Sequence, residues 1–273
     1  MKYVTFSFDD GVTQDKRLIE LLNKYGLKAT FNLNSSLFGL KGGWEFNGKF
    51  LNHTKVLPTE VKEIYAGHEV AVHTLTHPNL TGEEDAAVVY QVEEDRKQLS
   101  RLVGYEIVGM AYPCGGVNND DRVAEVIKSQ TGVKYSRTIT STFSFDLPKN
   151  LHRLNPTVYI REPDKMFELA EKFIALKTDV PQIFYIWGHS YEFDVMDDIT
   201  WERFEEFCKL ISGKEDIIYG TNKEVLMQLK LIGYMAAKVA IESGKTNYLH
   251  DVEYAAMQAM KEDVKKAISI FSN

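Results

Sequence analysis

From residue 3 to residue 219 the chain repeats one pattern: a short run of β-branched and aromatic residues, then a stretch with apolar residues at helical spacing. Strand-like runs are Tyr3–Phe8, Ala29–Asn34, His68–His73, Ile107–Tyr112, Lys134–Thr138, Gln182–Trp187 and Asp216–Tyr219. Between them lie helical stretches. Thr13–Tyr25 carries Leu18, Leu21 and Leu22 on one face and is stopped by Gly26. Glu83–Val103 presents Val88, Val92, Leu99 and Leu102, and Pro58-Thr59-Glu60 opens a helix ending at Gly67. Asp121–Thr131, Met166–Lys177 and Trp201–Ile211 complete the set. Parallel strands need a crossover, usually a helix, whereas hairpins do not. The order therefore predicts an α/β chain with a parallel sheet of about seven strands, a number compatible with a deformed (β/α) barrel. No internal repeat is visible.

Two stretches break the alternation. Residues 35–56 are rich in Gly, Asn and aromatics and read as an irregular loop, a length that usually signals function or mobility. From residue 221 onward the sequence reads as all helical, with Met257, Met260, Val264, Ala267, Ile268 and Phe271 in a stripe at 3–4 spacing. The expected organisation is one α/β domain over residues 1–220. Residues 221–273 follow as a helical extension, packed on that domain or used in a homo-oligomer contact.

Composition narrows the function classes. Hydrophobic residues make up 44% and charged residues 26%, enough for a sizeable core, and the net charge is -7 with both signs dispersed. No basic stripe suits nucleic acid. No apolar run approaches the roughly 18 residues of a spanning helix, and no targeting segment is visible, so a soluble, cytoplasmic protein without membrane partners is expected. Cys114 and Cys208 lie far apart, outside any metal-binding or disulfide spacing, and read as free thiols.

In parallel α/β folds, ligands sit beyond the carboxyl ends of the strands. Here those ends are Asp9-Asp10-Gly11, His73 with His77 four residues on, Pro113-Cys114-Gly115, and His189. Seven histidines in this length would give roughly 0.2 His-x-x-x-His pairs by chance, so the pair alone is only a hint. An Asp-Asp-Gly is often just a turn. Their convergence on one rim is the informative observation. Two imidazoles and one carboxylate leave open positions for water and substrate on Zn²⁺, and suit Fe²⁺ or Co²⁺ as well. The second aspartate can face the water as general base, and His189, across the rim, is the candidate acid for the leaving group.

These residues resemble the polysaccharide deacetylases of carbohydrate esterase family 4, the NodB-homology domain, over roughly residues 3–220. The family's T-F-D-D-G stands as Ser7-Phe8-Asp9-Asp10-Gly11, its H-[ST]-x-x-H-P as His73-Thr74-Leu75-Thr76-His77-Pro78, and its last motif as Ile186-Trp187-Gly188-His189. The resemblance implies a deformed (β/α) barrel and one divalent metal, Zn²⁺ before Co²⁺, Fe²⁺ or Mn²⁺. It implies Asp10, His73 and His77 as ligands, Asp9 as base and His189 as acid. The metal and the main-chain N–H of Cys114 would hold the oxyanion. Thr74 is expected to support its turn. The implied activity is removal of acetyl groups from an N- or O-acetylated sugar or oligosaccharide, a hydrolysis of carbon–nitrogen bonds other than peptide bonds in the N-acetyl case.

The third motif departs from the family's R-x-P-[YFW]-G: the chain has Ala111-Tyr112-Pro113-Cys114-Gly115. The arginine that pairs with the base is missing from its place, and Arg137, at the end of the next strand, is the candidate substitute; the other reading is a surface salt bridge. The fourth motif is not recognisable. Glu192 is a candidate to orient His189 or a substrate amine. Tyr112, Trp187 and Glu192 are candidate substrate contacts, and Trp44, Phe46 and His53 are further candidates that local packing would explain equally well. Two alternatives stay open: hydrolysis of a small cyclic imide or ureide on the same scaffold, and a non-catalytic carbohydrate-binding protein.

Overall fold

The structure is a computed structural model, and it describes residues 1–148 and 150–227. The strands and helices, in chain order, are β1 (Lys2–Asp9), α1 (Asp15–Lys24), β2 (Ala29–Leu33), β3 (Gly43–Phe46), β4 (Lys49–Asn52), α2 (Val61–Ile64), β5 (Glu69–Val72), α3 (Asp85–Val103), β6 (Gly109–Ala111), α4 (Asp121–Gln130), β7 (Tyr135–Arg137), β8 (Val158–Tyr159), α5 (Pro163–Ala175), β9 (Gln182–Gly188), α6 (Glu192–Val195), α7 (Trp201–Ile211) and β10 (Ile217–Tyr219). Seven strands pair in the order β7-β6-β5-β2-β1-β9-β8, and β10 adds to the first residues of β1; every pairing in this sheet is parallel. The chain is thus an α/β fold of the deformed-barrel type.

The curvature can be read from one contact. β1 and β7 are separated in the sheet by β2, β5 and β6, yet Arg137 Nε on β7 lies 3.3 Å from Ser7 Oγ on β1. A flat sheet would hold strands four places apart at nearly 20 Å. The two ends, β7 and β8, are not paired with each other, and Leu154 between them is bridged to Arg137.

Alternation along each strand divides the side chains between two environments. On β1, Phe6 and Phe8 face the helices and pack edge-on against Phe204 and Phe207 of α7. Thr5, Ser7 and Asp9 face the interior of the curl and bond to other polar groups. The same division runs through β2, with Thr30 and Asn32 inward, and through β9, where Phe184 meets Phe173 and Phe207 while Tyr185 bonds Asn222. The apolar core therefore lies between sheet and helices, and the lumen is lined by hydrogen-bonded polar groups. At its lower end, Glu69 takes the Tyr135 and Thr30 hydroxyls and the Lys223 main-chain N–H, and Asn222 bonds Thr5 and Tyr185.

The expected irregular loop at residues 35–56 is corrected: it contains a 3-10 turn at Ser35–Leu37 and the antiparallel hairpin β3–β4. Its turn is Asn47-Gly48 with positive φ at both residues (49° and 74°), which suits a two-residue hairpin loop. Two further elements were not expected, β8 and α6, of two and four residues, too short to show periodicity. The helix after Pro58 is one turn, Val61–Ile64. The chain divides into a unit Met1–Lys223 and a unit Glu224–Asn273. Residues 222–227 are helical; the rest of the expected extension, with its Met257–Phe271 stripe and any oligomer contact, lies outside the described residues. No helix among the described residues is long and apolar enough to cross a membrane.

Candidate active site

Asp9 is the last residue of β1 and its carboxylate points into the lumen, where it is buried. Asn32 Nδ2 donates to Oδ1 at 2.8 Å, and Arg137 Nη2 binds both oxygens. Arg137 is itself fully buried, donates to Ser7 Oγ and the Thr138 carbonyl, and lies over the Trp187 ring at 4.4 Å. It is therefore no surface salt bridge, and it reaches Asp9 from the strand beyond the third-motif position. Burial alone would raise the Asp9 pKa; Arg137, with His73 and His189 adding, overrides it, and the carboxyl sits below its ordinary value.

Asp10 and Gly11 both take left-handed backbone (φ 85° and 63°), which swings the chain off the strand and aims Asp10 at the rim. A Cβ at Gly11 would also press on a methyl of the Leu33 side chain at 2.8 Å, which adds to the preference for glycine set by the backbone. His73 follows β5, buried, with Nδ1 donating to the Ala111 carbonyl at 2.9 Å. That bond leaves Nε2 as the lone-pair nitrogen. Its main-chain N–H is held by the Leu33 carbonyl and by the buried carboxyl of Asp95 on α3. His77 is fixed by Thr74 Oγ1, which accepts its N–H at 3.1 Å, so Thr74 supports the turn. Thr74, His77 and Cys114 all have positive φ (69°, 63° and 68°), so backbone strain is concentrated here.

One donor atom from each of Asp10, His73 and His77 lies within 4.8 Å of the others. Burial pushes His73 down to about 4 and His77 below its usual value, so both are neutral at pH 7. Two neutral imidazoles and an ionised carboxylate, with a main-chain carbonyl orienting one ring, fit a divalent ion that accepts nitrogen and oxygen ligands.

His189 follows β9 on the opposite side. Glu192, buried at the start of α6, takes the His189 main-chain N–H at 3.1 Å and lies 3.3 Å from Nδ1; Tyr159 donates its hydroxyl to the other Glu192 oxygen. Burial works against a charged ring, and Glu192, Asp10 and Asp9 outweigh it, raising His189 to about 9. Tyr191 stacks on the ring at 4.9 Å. Ser190, next in sequence, donates to the buried Asp15 at 2.6 Å, which ties this loop to α1.

Asp9, Asp10, His73, His77 and His189 line one cavity of about 280 Å³, together with Tyr112, Cys114, Tyr159, Trp187 and Tyr191. Tyr112 gives its hydroxyl to the His152 carbonyl and offers the cavity its ring. Trp187 stacks on Tyr159 at 4.1 Å, and its indole N–H has no protein partner. The Cys114 thiol lies 3.7 Å from His77 Nδ1, and both cysteines are free. Beside the cavity, Trp44 and Phe46 of the hairpin line a recess with Tyr159, Tyr191, Arg161 and Glu192. His53, after the hairpin, sits between Trp44 and Tyr191 and places Nε2 3.2 Å from Asp10 Oδ2. All ten candidate site residues thus meet at this cavity or directly behind it. Sequence reasoning missed Asn32, Lys55, Asp95 and Tyr159.

The polysaccharide deacetylase family model matches residues 1–135, which carry the Asp9-Asp10 and His73–His77 segments. Over these residues the chain belongs to the polysaccharide deacetylase family. Two similar solved structures agree on the fold. Peptidoglycan deacetylase PdaC from Bacillus subtilis is 16% identical, with 88% of this chain and 96% of that one covered and a TM-score of 0.52. A family 4 carbohydrate esterase from Streptomyces lividans, in complex with acetate, is 16% identical over 80% and 91% of the two chains, with a TM-score of 0.50. The deacetylase PplD from Streptococcus pyogenes is 20% identical; the match covers 55% of this chain and 61% of that one, at a TM-score of 0.45. The chain therefore spans less than two thirds of the length of PplD. No curated protein matches the chain.

Proposed function

We propose that this family member is a metal-dependent deacetylase that hydrolyses the acetyl group of an N- or O-acetylated sugar. The observation that supports it most is the pairing across one cavity: a convergent Asp10–His73–His77 donor set lies between a carboxylate held by arginine and a histidine held by glutamate.

A divalent ion held by Asp10, His73 and His77 would supply Lewis acidity, polarising the acyl oxygen and lowering the pKa of water. The chain's own groups do the rest. Asp9 stays ionised at neutral pH, and its Oδ2, on the side of His73, accepts the proton of the attacking water. Arg137 and Asn32 hold the carboxylate so that it cannot rotate away. His189 is protonated at neutral pH, with Glu192 on Nδ1, so Nε2–H faces the cavity and can protonate the departing sugar nitrogen or oxygen. Cys114 lines the cavity and its main-chain N–H meets no partner among the described residues, which supports reading it as the donor that would stabilise the oxyanion. The products are acetate and the free amine or hydroxyl.

The reading of a cyclic imide or ureide substrate drew partly on the missing third-motif arginine, and Arg137 on Asp9 weakens that part of it. A binding-only role is disfavoured because base, acid and ligand set are all present. The test is to quantify bound metal and then assay acetate release from N-acetylglucosamine oligomers and acetylated xylan beside ring opening of cyclic imides. Metal uptake with acetate release, both lost in Asp10→Ala, is expected. Absence of metal, or turnover surviving Asp10→Ala, overturns the reading.

A further inference from the structure

Lys55 is the unexplained charge of the site. It follows the hairpin and is buried, at 4% exposure. Its backbone is pinned on both sides: its N–H donates to the Leu40 carbonyl, and Val56 donates to the Gly11 carbonyl. The ammonium is thereby delivered to three acceptors: the Asp10 main-chain carbonyl at 2.6 Å, Asp10 Oδ1 at 3.2 Å and Asn34 Oδ1 at 3.4 Å. Lysine is almost never fully buried unless it is paired, because a desolvated ammonium needs its counter-charge. The counter-charge here is the carboxylate assigned to the metal.

Counting the site's charges shows what this does. Arg137 balances Asp9, and Glu192 balances His189. Lys55 balances Asp10. Each ionised group has a partner of opposite sign before any divalent ion arrives. Such ions are usually drawn by a surplus of negative charge, as ligand charge count tunes affinity in carboxylate sites.

We propose that Lys55 is a resident counter-cation of Asp10: it keeps the metal-free site assembled and weakens the site's hold on a divalent ion, so that occupancy follows ion supply. The proposal rests on the reading of Asp10 as a ligand. Two consequences of opposite sign follow from a single charge. Removing the ammonium leaves a buried carboxylate unpaired, which destabilises the metal-free chain. It also removes a repulsion between two cations and frees Oδ1, which strengthens ion binding. Removing a side chain that served packing alone would lower both stability and affinity.

The experiment uses the full chain, stripped of metal. Zn²⁺ affinity is measured by competition with a chromophoric chelator, and thermal unfolding is followed with and without Zn²⁺. For Lys55→Met the expected result is Zn²⁺ affinity raised about tenfold or more, with a lower unfolding temperature in the metal-free state only. Lys55→Arg, which keeps the charge, should bind Zn²⁺ as the wild type does. If Lys55→Met does not fold, Lys55→Gln keeps a donor for the Asp10 carbonyl without the charge and should show the same rise. A charge-removing variant that binds Zn²⁺ no more tightly than wild type overturns the proposal, as does a wild type and variant that both bind none. Asp10→Ala separates the two readings: Zn²⁺ affinity unchanged in that variant overturns Asp10 as a ligand, whatever Lys55 does to the metal-free unfolding temperature.

Discussion

Arg137 carries two burdens at once, since its guanidinium neutralises Asp9 and covers Trp187. Arg137→Met leaves a buried carboxylate alone, and unfolding by urea should show a loss of about 3–5 kcal/mol. Turnover should fall by about a hundredfold or more, because the base is protonated or misplaced. Asp15 has a quieter role. Burial pushes its carboxyl up to about 7 although Ser190 and Tyr65 both donate to it. The folded chain then keeps a proton that the unfolded chain releases above about pH 4. The stability Asp15 contributes is full below that pH and is lost as pH rises through 7. Asp15→Asn cannot ionise, so the wild type's stability relative to this variant should shrink by on the order of 2 kcal/mol between pH 5 and pH 8. Chemical denaturation of both proteins at the two pH values reads this directly, and a difference that does not change with pH would refute it.

Among the elements, the β3–β4 hairpin links the rim to its surroundings. Trp44, with 46% of its surface exposed, packs tilted on His53 and edge-on to Tyr191, and Tyr191 stacks on His189. On the proposed function, this exposed indole at the edge of the recess would give a pyranose ring a face. Trp44→Ala should raise KM about 5–10-fold and leave kcat nearly unchanged, the size of one lost aromatic contact. Steady-state kinetics on an acetylated oligosaccharide separates the two constants. The hairpin also shows where reading the sequence stopped short. Asn47-Gly48 is a strong two-residue turn signal, but the flanking strands are four residues each and mostly exposed, so no alternation marks them. By contrast, Asp10, His73, His77 and His189 were legible because a strand end and a four-residue spacing are local. Glu192 was legible for the same reason, three residues from its partner. Lys55, Asp95 and Tyr159 reach their partners across 45, 22 and 33 residues, and nothing near them in the chain marks the contact.

The unit Met1–Lys223 has a lumen whose two ends have separate tasks. Asn222 bonds Thr5 and Tyr185 at the lower end, four residues or about 13 Å along β1 from Asp9. Asn222→Ala leaves these hydroxyls without their partner and should cost about 2–3 kcal/mol in thermal or urea unfolding, while kcat/KM stays within twofold of wild type. The polar lumen between the two ends was written in the sequence as Thr5-x-Ser7-x-Asp9 and Thr30-x-Asn32. A parallel strand buried on both faces is expected to be apolar throughout, and this alternation was not recognised in the sequence as the sign of a polar interior. This lumen also bears on how the chain threads itself. Shifting β1 by one residue would press Asp9 among the rings of α7 and set Phe8 against Arg137. The inward column therefore works as a ratchet on assembly: a misaligned strand meets the wrong dielectric at every second position, and only the alignment that gathers the reactive groups is tolerated.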